Sequence, residues 1–211
     1  LGGGAIGLLA GKVFLAYGYH NIWIAEPNPL RRSMLEQLDN FNAYDPTKYT
    51  QCPKGVDMII DAVGSGATRG TASAMVRPGG VIVHIGLQDN LDGLDSRRIT
   101  LQEITFKGTY CYRNDDFAEA LRLLHNNTIS GSGWVDVRPL ADGPKAFHDI
   151  HNGAAPPKII LACVNISNLA VLSVKNSGLN TILRVEYICC SASTVPGIIV
   201  DFRIIILFLV L

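Results

Sequence analysis

The chain has 211 residues, of which 48% are hydrophobic and 17% charged, and its 18 basic and 18 acidic residues leave no formal net charge. This profile is typical of a globular protein with one sizeable core. The charges form no runs, so nothing indicates a nucleic-acid partner, and the longest C-terminal apolar run, IIILFLVL, is too short to span a bilayer.

Helix and strand patterns alternate from the N-terminus. Apolar residues recur at helical spacing from Ala5 to Tyr17, and HNIWIAE then predicts a short buried strand that ends in Glu26. Asn28 and Pro29 predict an N-cap followed by proline at the first helical position. The apolar stripe of this second helix is expected at Leu30, Met34 and Leu38.

Two further buried strands are predicted in VDMIIDAVGS and VIVHIGL. Between them, ATRGTASAMV predicts a helix that stops at Pro78, Gly79 and Gly80. Continuous apolar runs are what strands covered on both faces require. The sequence therefore predicts an α/β fold with a doubly wound parallel sheet.

The C-terminal part of this pattern contains one more strand and two helices. EITFKGTYCY is expected to be the last strand of the sheet, with an outer edge that is unpaired in a monomer. Asn114 is expected to cap one helix, while Asp142 caps the next and Gly153 ends it. The buried stripes are expected at Phe117, Leu121 and Leu124 in the first helix and at Phe147 and Ile150 in the second.

The opening letters LGGGAIG contain a G-x-G-x-x-G motif, formed by Gly2, Gly4 and Gly7. The first glycine of such a motif permits a tight turn, the second lets the backbone approach a pyrophosphate, and the third lets the helix pack closely. Glu26 follows Gly7 by 19 residues, where a carboxylate can accept hydrogen bonds from ribose hydroxyls. Because turn, strand end and acid are in register, a dinucleotide site is favoured over an unrelated glycine-rich turn.

Six stretches resemble, in order and spacing, the C-terminal half of medium-chain, zinc-type alcohol dehydrogenases, in particular their sorbitol and threonine dehydrogenase-like branch. They are GGGAIGLLAGKVFLAYG, IWIAEPNPLRR, VDMIIDAVGS, RPGGVIVHIGL, EITFKGTY and PLADGPKAFHDIHNGAAPPKIIL. The resemblance covers about residues 1–163. It implies a nicotinamide-binding Rossmann domain, followed by a segment that returns to a separate catalytic domain.

The resemblance also implies which residues contact the cofactor. At the pyrophosphate they are Gly2, Gly4, Ala5, Ile6 and Gly7; at the adenosine ribose, Glu26 and Arg31; towards the nicotinamide, Ala62, Val63, Gly64, Ile85, Gly86 and Leu87. NAD is expected rather than NADP, because the Glu26 carboxylate repels a 2′-phosphate. Arg31 and Arg32 oppose this preference, but both are expected to point along their helix to solvent.

The implied organisation has three parts: a Rossmann domain at 1–125 without its first strand, a return segment at 126–163, and an unassigned hydrophobic tail at 164–211. The resemblance places zinc, its ligands and the proton relay in an N-terminal domain that would precede Leu1. We therefore expect a fragment that contains no catalytic or metal-binding residue and does not oxidise alcohols by itself. For the tail, a frameshifted or read-through translation, a natural extension and edge-filling strands all stay open.

The activity implied by the resemblance is hydride transfer between a secondary alcohol or polyol and NAD. A homodimer or tetramer is expected through the edge strand at 104–111. Two alternatives stay open: a nucleotide-binding module without turnover, and a zinc-independent, NADPH-dependent quinone or enoyl reductase. A class I methyltransferase is disfavoured by the order of the later segments.

Tyr44 and Lys48 form a Y-x-x-x-K pattern, which in short-chain dehydrogenases is catalytic. Pro46 lies inside the pattern and disfavours the helix that would align the two side chains, so we expect a coincidence. The five cysteines form no CxxC pair, which favours free thiols in a reducing, cytoplasmic compartment. They are Cys52, Cys111, Cys163, Cys189 and Cys190.

Three histidines are candidate functional residues. His148 and His151, with Asp149 between them, have a spacing that suits metal ligands on one helical turn. A position at the negative end of a helix accounts for both histidines more simply. His84, inside VIVHIGL, is expected to be a core or rim histidine.

Overall fold

The computed structural model describes residues 1–38, 41–48 and 52–162. The predicted tail at 164–211 lies outside this range, and so do Cys163, Cys189 and Cys190. Cys52 and Cys111 are free thiols. Among the residues described, no helix has both the length and the apolar character needed to cross a membrane.

Helices and strands alternate along most of the chain, and a short 3₁₀ turn, Leu140–Asp142, precedes the last helix. The elements are α1 (Ala5–Ala16), β1 (Ile22–Ala25), α2 (Pro29–Gln37), β2 (Phe41–Tyr44), β3 (Val56–Asp61), α3 (Gly66–Met75), β4 (Val76–His84), α4 (Ser96–Leu101), β5 (Thr105–Gly108), α5 (Asn114–His125), β6 (Val135–Pro139), α6 (Gly143–His151) and β7 (Lys158–Ala162).

All strand pairs of the described residues are parallel. β1 pairs with β2, β4 pairs with both β3 and β5, and β6 pairs with β7. Parallel neighbours need crossover connections, and helices supply them here. This agrees with the predicted α/β class.

The backbone of Leu1 and Gly2 lies between β1 and β3. The Leu1 nitrogen donates to the carbonyl of Ile60 (2.6 Å), the Leu1 carbonyl accepts from Ala62 (3.0 Å), and the Gly2 amide donates to Ala25 (3.0 Å). The order across the molecule is therefore β2, β1, Leu1 with Gly2, β3, β4, β5. The order in which successive strands are added to the sheet reverses at Leu1 and Gly2, and open parallel sheets bind ligands at such a switch point.

Apolar clusters cover both faces of the strands, as a doubly wound fold requires. One cluster contains Leu8, Leu9, Ile24, Leu35, Leu123, Ile129 and Trp134. The other contains Ala25, Tyr44, Ile59, Ala72, Met75, Val76, Ile82 and Ile104. Adjacent residues of β1 fall in different clusters because successive side chains of a strand point to opposite faces. The predicted doubly wound parallel fold is confirmed.

Four elements, β2, α4, β6 and β7, were not predicted, because their runs of four to six residues are too short to show a period. The predicted helix in ATRGTASAMV is confirmed as α3, but the residues of its predicted stop belong to the next strand. α3 ends at Met75 and β4 begins at the next residue, so Pro78, Gly79 and Gly80 lie within the strand. The register between β3 and β4 shifts at these residues, since Val56 pairs with Val76 but Met58 pairs with Val81.

The caps and stripes of three helices test local sequence rules. The Asn28 cap of α2 is confirmed by a hydrogen bond from the Arg31 amide to Asn28 Oδ1 (3.1 Å), but the predicted stripe residue Leu30 is 45% exposed. α5 starts at Asn114, so Asn114 is not its cap. The residues that α5 and α2 bury most deeply are Leu123 and Leu35 respectively.

For α6, the predicted end at Gly153 is confirmed: this glycine has φ of +66° and its amide donates to Ile150 (3.1 Å). Asp142 occupies the N-cap position but makes no side-chain cap bond. The predicted buried stripe was wrong, because Phe147 is 73% exposed and Ile150 43% exposed. The helix buries the small residue Ala146 instead, which lets it lie close to its neighbours.

Candidate functional site

The glycine turn has a geometry that explains two of its three motif glycines by packing alone. Gly2 has φ of +91°, a left-handed conformation that favours glycine. A Cβ on Gly7 would collide with the carbonyl oxygen of Gly2. A Cβ on Gly4, in contrast, would meet no atom within 4 Å. Packing within the protein therefore requires glycine at 2 and 7 but not at 4.

The first turn of α1, which begins at Ala5, has features that favour the binding of an anion. Its N-cap residue is Gly4, which has no side chain to cap the helix, and the turn contains no acidic residue. The first amides of a helix lack intrahelical acceptors and carry the positive end of its dipole. Together with the open space at Gly4, these donors fit the pyrophosphate of a dinucleotide.

Glu26 follows β1 directly and is only 4% exposed. One carboxylate oxygen accepts from the Gly3 amide (2.9 Å) and the other from the Asn28 amide (2.8 Å). The side chain therefore ties the glycine turn to the start of α2. Each oxygen keeps a further lone pair, so the carboxylate can still accept a hydrogen bond from a ribose hydroxyl.

The two arginines of α2 differ in their contacts. Arg32 Nη1 donates to the carbonyls of Glu26 (2.8 Å) and Pro27 (3.2 Å), and Nη2 lies 3.7 Å from an Asp45 carboxylate oxygen. The expectation that Arg32 points along its helix to solvent was wrong, because these acceptors hold it against the end of β1. Arg31 has a buried Nε without a hydrogen-bond partner among the described residues.

The turns after β3 and β4 touch each other through two glycines. Gly64 has φ of +72°, and a Cβ on it would collide with the carbonyl of Gly86. A Cβ on Gly86 would in turn collide with the backbone of Val63. The Gln88 amide donates to the Val63 carbonyl (3.2 Å), so the two turns lie side by side at the carboxyl ends of their strands.

Asp61, the last residue of β3, organises these turns and is fully buried. Its carboxylate accepts from the amides of Val63 (3.1 Å) and Gly64 (2.9 Å) and from the Thr68 hydroxyl (3.0 Å). Its backbone carbonyl accepts from the amide of Gly86 (3.0 Å). Sequence reasoning missed Asp61, although an acid that ends an apolar strand directly before a small-residue turn is a readable signal.

These contacts join the predicted site residues into one continuous edge. Gly3 contacts Glu26, a Cβ on Gly2 would lie 2.7 Å from a Val63 methyl group, and Gly64 contacts Gly86. The residues brought together are Gly2, Gly4, Ala5, Ile6, Gly7, Glu26, Ala62, Val63, Gly64, Ile85, Gly86 and Leu87. Arg31 lies on α2, and its Nε makes no hydrogen bond to this edge in the described residues.

The geometry of Tyr44 excludes a role like that of a short-chain dehydrogenase tyrosine. Tyr44 ends β2, is 3% exposed, and its hydroxyl lies 3.9 Å from Met75 Sδ. Burial, with a smaller effect of Cys52, raises the pKa of Tyr44 to about 12, whereas a catalytic tyrosine needs a lowered value. Lys48 is exposed and lies outside any helix.

His148 and His84 contact neighbouring side chains of the protein. Asp149 accepts from Lys145 (2.7 Å) and Arg138 (2.7 Å), and these bonds lower its pKa to about 2. His148 lies within 3.2 Å of the Asn152 amide nitrogen. His84 is partly buried, and its ring centroid lies 5.5 Å from that of Phe106. The described residues contain no group of three His, Cys, Asp or Glu side chains placed to hold a metal ion.

Known proteins resemble this chain over the same region. A family model described as zinc-binding dehydrogenase matches residues 5–126. The probable D-xylulose reductase A of Neosartorya fischeri is 27% identical over 160 residues, which cover 70% of this chain and 43% of the relative. The chain thus spans less than half the length of that curated relative.

Two solved structures show the same fold. Acetophenone reductase from Geotrichum candidum, in complex with NAD, has a TM-score of 0.67 at 18% identity. The matched region covers 80% of this chain and 48% of the reductase chain. A protein of Sinorhizobium meliloti described as a zinc-binding dehydrogenase, bound to NADP, has a TM-score of 0.64 at 22% identity. The matched region covers 75% of this chain and 49% of the Sinorhizobium meliloti chain.

Proposed function

Because this chain belongs to the zinc-binding dehydrogenase family, we propose that its described residues form the dinucleotide-binding part of an oxidoreductase. The observation that carries the proposal is Gly4. A side chain there would meet open space rather than protein, so packing gives no reason for glycine. A pyrophosphate lying against the first turn of α1 does give one, because it needs the backbone to be accessible.

In this proposal each turn has its own task. The amides at the start of α1 bind the pyrophosphate, and Glu26 accepts from the adenosine ribose. The paired turns at 62–64 and 85–87 line the path towards the nicotinamide. When bound, the nicotinamide exchanges a hydride at its C4 position with the substrate carbon.

The cofactor proposed is NAD. Glu26 places a buried carboxylate beside the expected ribose, and a 2′-phosphate there would lie close to this charge. Arg32 already donates to two backbone carbonyls, so it offers little to a phosphate. The solved neighbours include complexes with NAD and with NADP, so the choice rests on these side chains.

The proposed substrate is a secondary alcohol or polyol, which loses a hydride from its carbinol carbon and a proton from its hydroxyl to give a ketone. The curated relative named above is a probable D-xylulose reductase, and this similarity supports the substrate class. For zinc, the resemblance to zinc-type alcohol dehydrogenases leads us to propose ligands in a separate catalytic domain. The alternatives of a quinone reductase or a methyltransferase gain no support.

We also propose that residues 126–163 form a segment that meets this catalytic domain. The exposed apolar side chains of α6, Phe147 and Ile150, support this proposal because they need a covering surface. A homodimer through β5 is proposed as well, since all four residues of this strand are exposed.

The test of the dinucleotide site is a substitution that fills the space at Gly4. We expect Gly4→Val to leave the chain folded, with only the modest loss of stability that a poorer N-cap residue predicts, and to abolish NADH binding, measured by calorimetry. Ala67→Val is the matched control, because Ala67 is an exposed residue in the first turn of another helix, α3. Unchanged NADH affinity in Gly4→Val, or no affinity in the parent chain, would overturn the proposal.

A further inference from the structure

A single buried guanidinium connects the turn after β3 to the loop after β4. Arg69, on α3, is only 9% exposed. Its Nη1 donates to the carbonyls of Gly64 (3.0 Å) and Asp89 (3.3 Å), and its Nη2 donates to Asp89 Oδ1 (2.8 Å) and to the carbonyl of Leu91. Arg69 therefore contacts the 62–64 turn of the proposed nicotinamide path and residues 89–91, which closely follow the 85–87 turn.

The partner carboxylate is itself held by backbone. Asp89 Oδ1 also accepts from the amides of Gly66 (3.0 Å) and Leu91 (3.1 Å). Hydrogen bonds from these amides and from Arg69 lower the pKa of Asp89, against the opposing effect of desolvation. The ion pair thus belongs to a network that joins the start of α3 to residues 89–91.

Backbone hydrogen bonds also hold the two segments together: next to the 62–64 turn, the Asp61 carbonyl accepts from the amides of Ile85 (2.9 Å) and Gly86 (3.0 Å). The direct bonds between them, from Gln88 to Val63 and from Asp89 to Gly64, are both 3.2 Å long. Next to them, Gly64 and Gly86 approach so closely that neither accepts a Cβ. Such an approach leaves no side chain to interlock the turns, and Arg69 supplies the side-chain hydrogen bonds that join the 62–64 turn to residues 89–91.

The chemistry of Arg69 suits this task better than simple helix packing. Burying a charge is costly unless it is paired and hydrogen-bonded, and an apolar side chain would cover α3 at lower cost. The planar guanidinium, however, donates in several fixed directions and so links acceptors on separate segments. The need to join these two segments therefore explains why a charged side chain is buried at position 69.

We propose that Arg69 is a positioning residue for the nicotinamide half of the cofactor site, acting by clamping the 85–91 loop against the 62–64 turn. This inference rests on the proposed function. The adenosine half depends on other contacts, those of Glu26 with Gly3 and Asn28. Loss of the clamp should therefore weaken binding of the whole dinucleotide and spare binding of its adenosine part.

The experiment compares the affinities for NADH and AMP in four forms of the chain: the parent, Arg69→Met, Asp89→Asn and the control Arg77→Met. Arg77 also pairs with an aspartate, Asp57, but on the surface, with 47% of its side chain exposed. We expect Arg69→Met to lose about tenfold or more in NADH affinity, as the loss of charged hydrogen bonds predicts. Its AMP affinity should match that of the parent and the control.

Hydrogen exchange gives a readout that needs no ligand. The Gln88 and Asp89 amides should exchange faster in Arg69→Met, whereas amides of α1 and β1 keep their protection. Asp89→Asn should show the same selective effects at smaller size, and it carries the test alone if Arg69→Met does not fold.

The outcomes separate the two proposals. Equal losses for NADH and AMP, with faster exchange throughout the chain, would show a merely structural role and overturn the inference. Full NADH affinity in both variants would also overturn it. If the parent binds neither nucleotide, the proposed function fails, and with it the cofactor role of Arg69, while the exchange data still report whether the clamp exists.

Discussion

At the scale of single residues, the site depends on carboxylates that bind backbone amides. Glu26 accepts from Gly3 and Asn28, and Asp61 accepts from Val63 and Gly64. Each carboxylate fixes a turn at the end of a strand before any ligand binds. Preorganised turns of this kind reduce the entropy lost on binding.

The charge of Glu26 should decide between the two nicotinamide cofactors. In Glu26→Gln the side chain keeps its size but no longer repels a 2′-phosphate, so the preference for NADH over NADPH should narrow by about ten- to a hundredfold. Competitive titration with both cofactors measures this ratio. Glu36→Gln, an exposed position on α2, is the control. A parent chain that binds NADPH as tightly as NADH would contradict the assignment.

Tyr44 should have no role in catalysis, but its ionisation should affect the stability of the protein at alkaline pH. Its pKa is raised to about 12 in the folded state, against about 10 in an unfolded chain. Its stabilising contribution is therefore present below about pH 10 and is lost as the pH rises towards about 12. Tyr44→Phe should make stability less dependent on pH in this window, measured by denaturant unfolding with parallel ultraviolet titration. An unchanged pH dependence would contradict the burial argument.

At the scale of elements, charges join α6 to β6 within the β6–α6–β7 unit. Asp149 on α6 accepts from Lys145 one turn earlier and from Arg138 on β6, both at 2.7 Å. The unit is joined to the rest of the chain by a hydrogen bond from Asn28 Nδ2 to the Gly153 carbonyl (2.8 Å). The cap of α2 and the end of α6 thus share one side chain.

Acid should loosen this unit through Asp149. Its pKa is about 2 in the folded protein and about 3.9 in an unfolded chain. Its contribution is therefore fully present above about pH 4 and is lost as the pH falls towards about 2. Asp149→Asn should lower stability at neutral pH and flatten the acid dependence, measured by denaturant unfolding at several pH values. The side chain of Asp142 makes no cap bond, so Asp142→Asn should have the stability of the parent. An equal loss of stability in both variants would contradict the role of Asp149.

At the scale of the whole molecule, the site lies where the strand order reverses. Leu1 and Gly2 occupy this position between β1 and β3, so the glycine turn, Glu26 and the two glycine-paired turns share one edge. One end of the strand order is β5, which pairs only with β4 among the strands described. Its free edge is the surface proposed for self-association.

The edge of β5 offers a matched pair of substitutions. The Thr109 amide donates to His84 on β4 (3.0 Å), so by alternation the Gly108 amide points to the free edge. Gly108→Pro removes this donor and should abolish the dimer, whereas Gly108→Ala keeps the donor and meets no atom within 4 Å. Light scattering over a concentration series measures the effect. A parent chain that is monomeric at micromolar concentration would contradict the proposed dimer.

Much of the site follows from the sequence because its signals are local. A left-handed turn requires Gly2, a helix start favours Asn28, and a helix end favours Gly153, each through contacts within a few residues. The order of strands and helices likewise follows from apolar runs and the breaks between them. The sequence by itself therefore determined the α/β class, the parallel sheet and the position of the glycine turn.

Only the tertiary structure decided which faces and which partners are used. A helical period predicts an apolar stripe, but it does not distinguish Leu123 from its neighbour Leu124 or Ala146 from its neighbour Phe147, because burial depends on the element packed alongside. The bonds of Arg69 to Asp89 and of Asn28 to Gly153 join segments that no local pattern relates. Periodicity and capping act over a few residues, whereas packing and charge pairing depend on distances that exist only after the chain has folded.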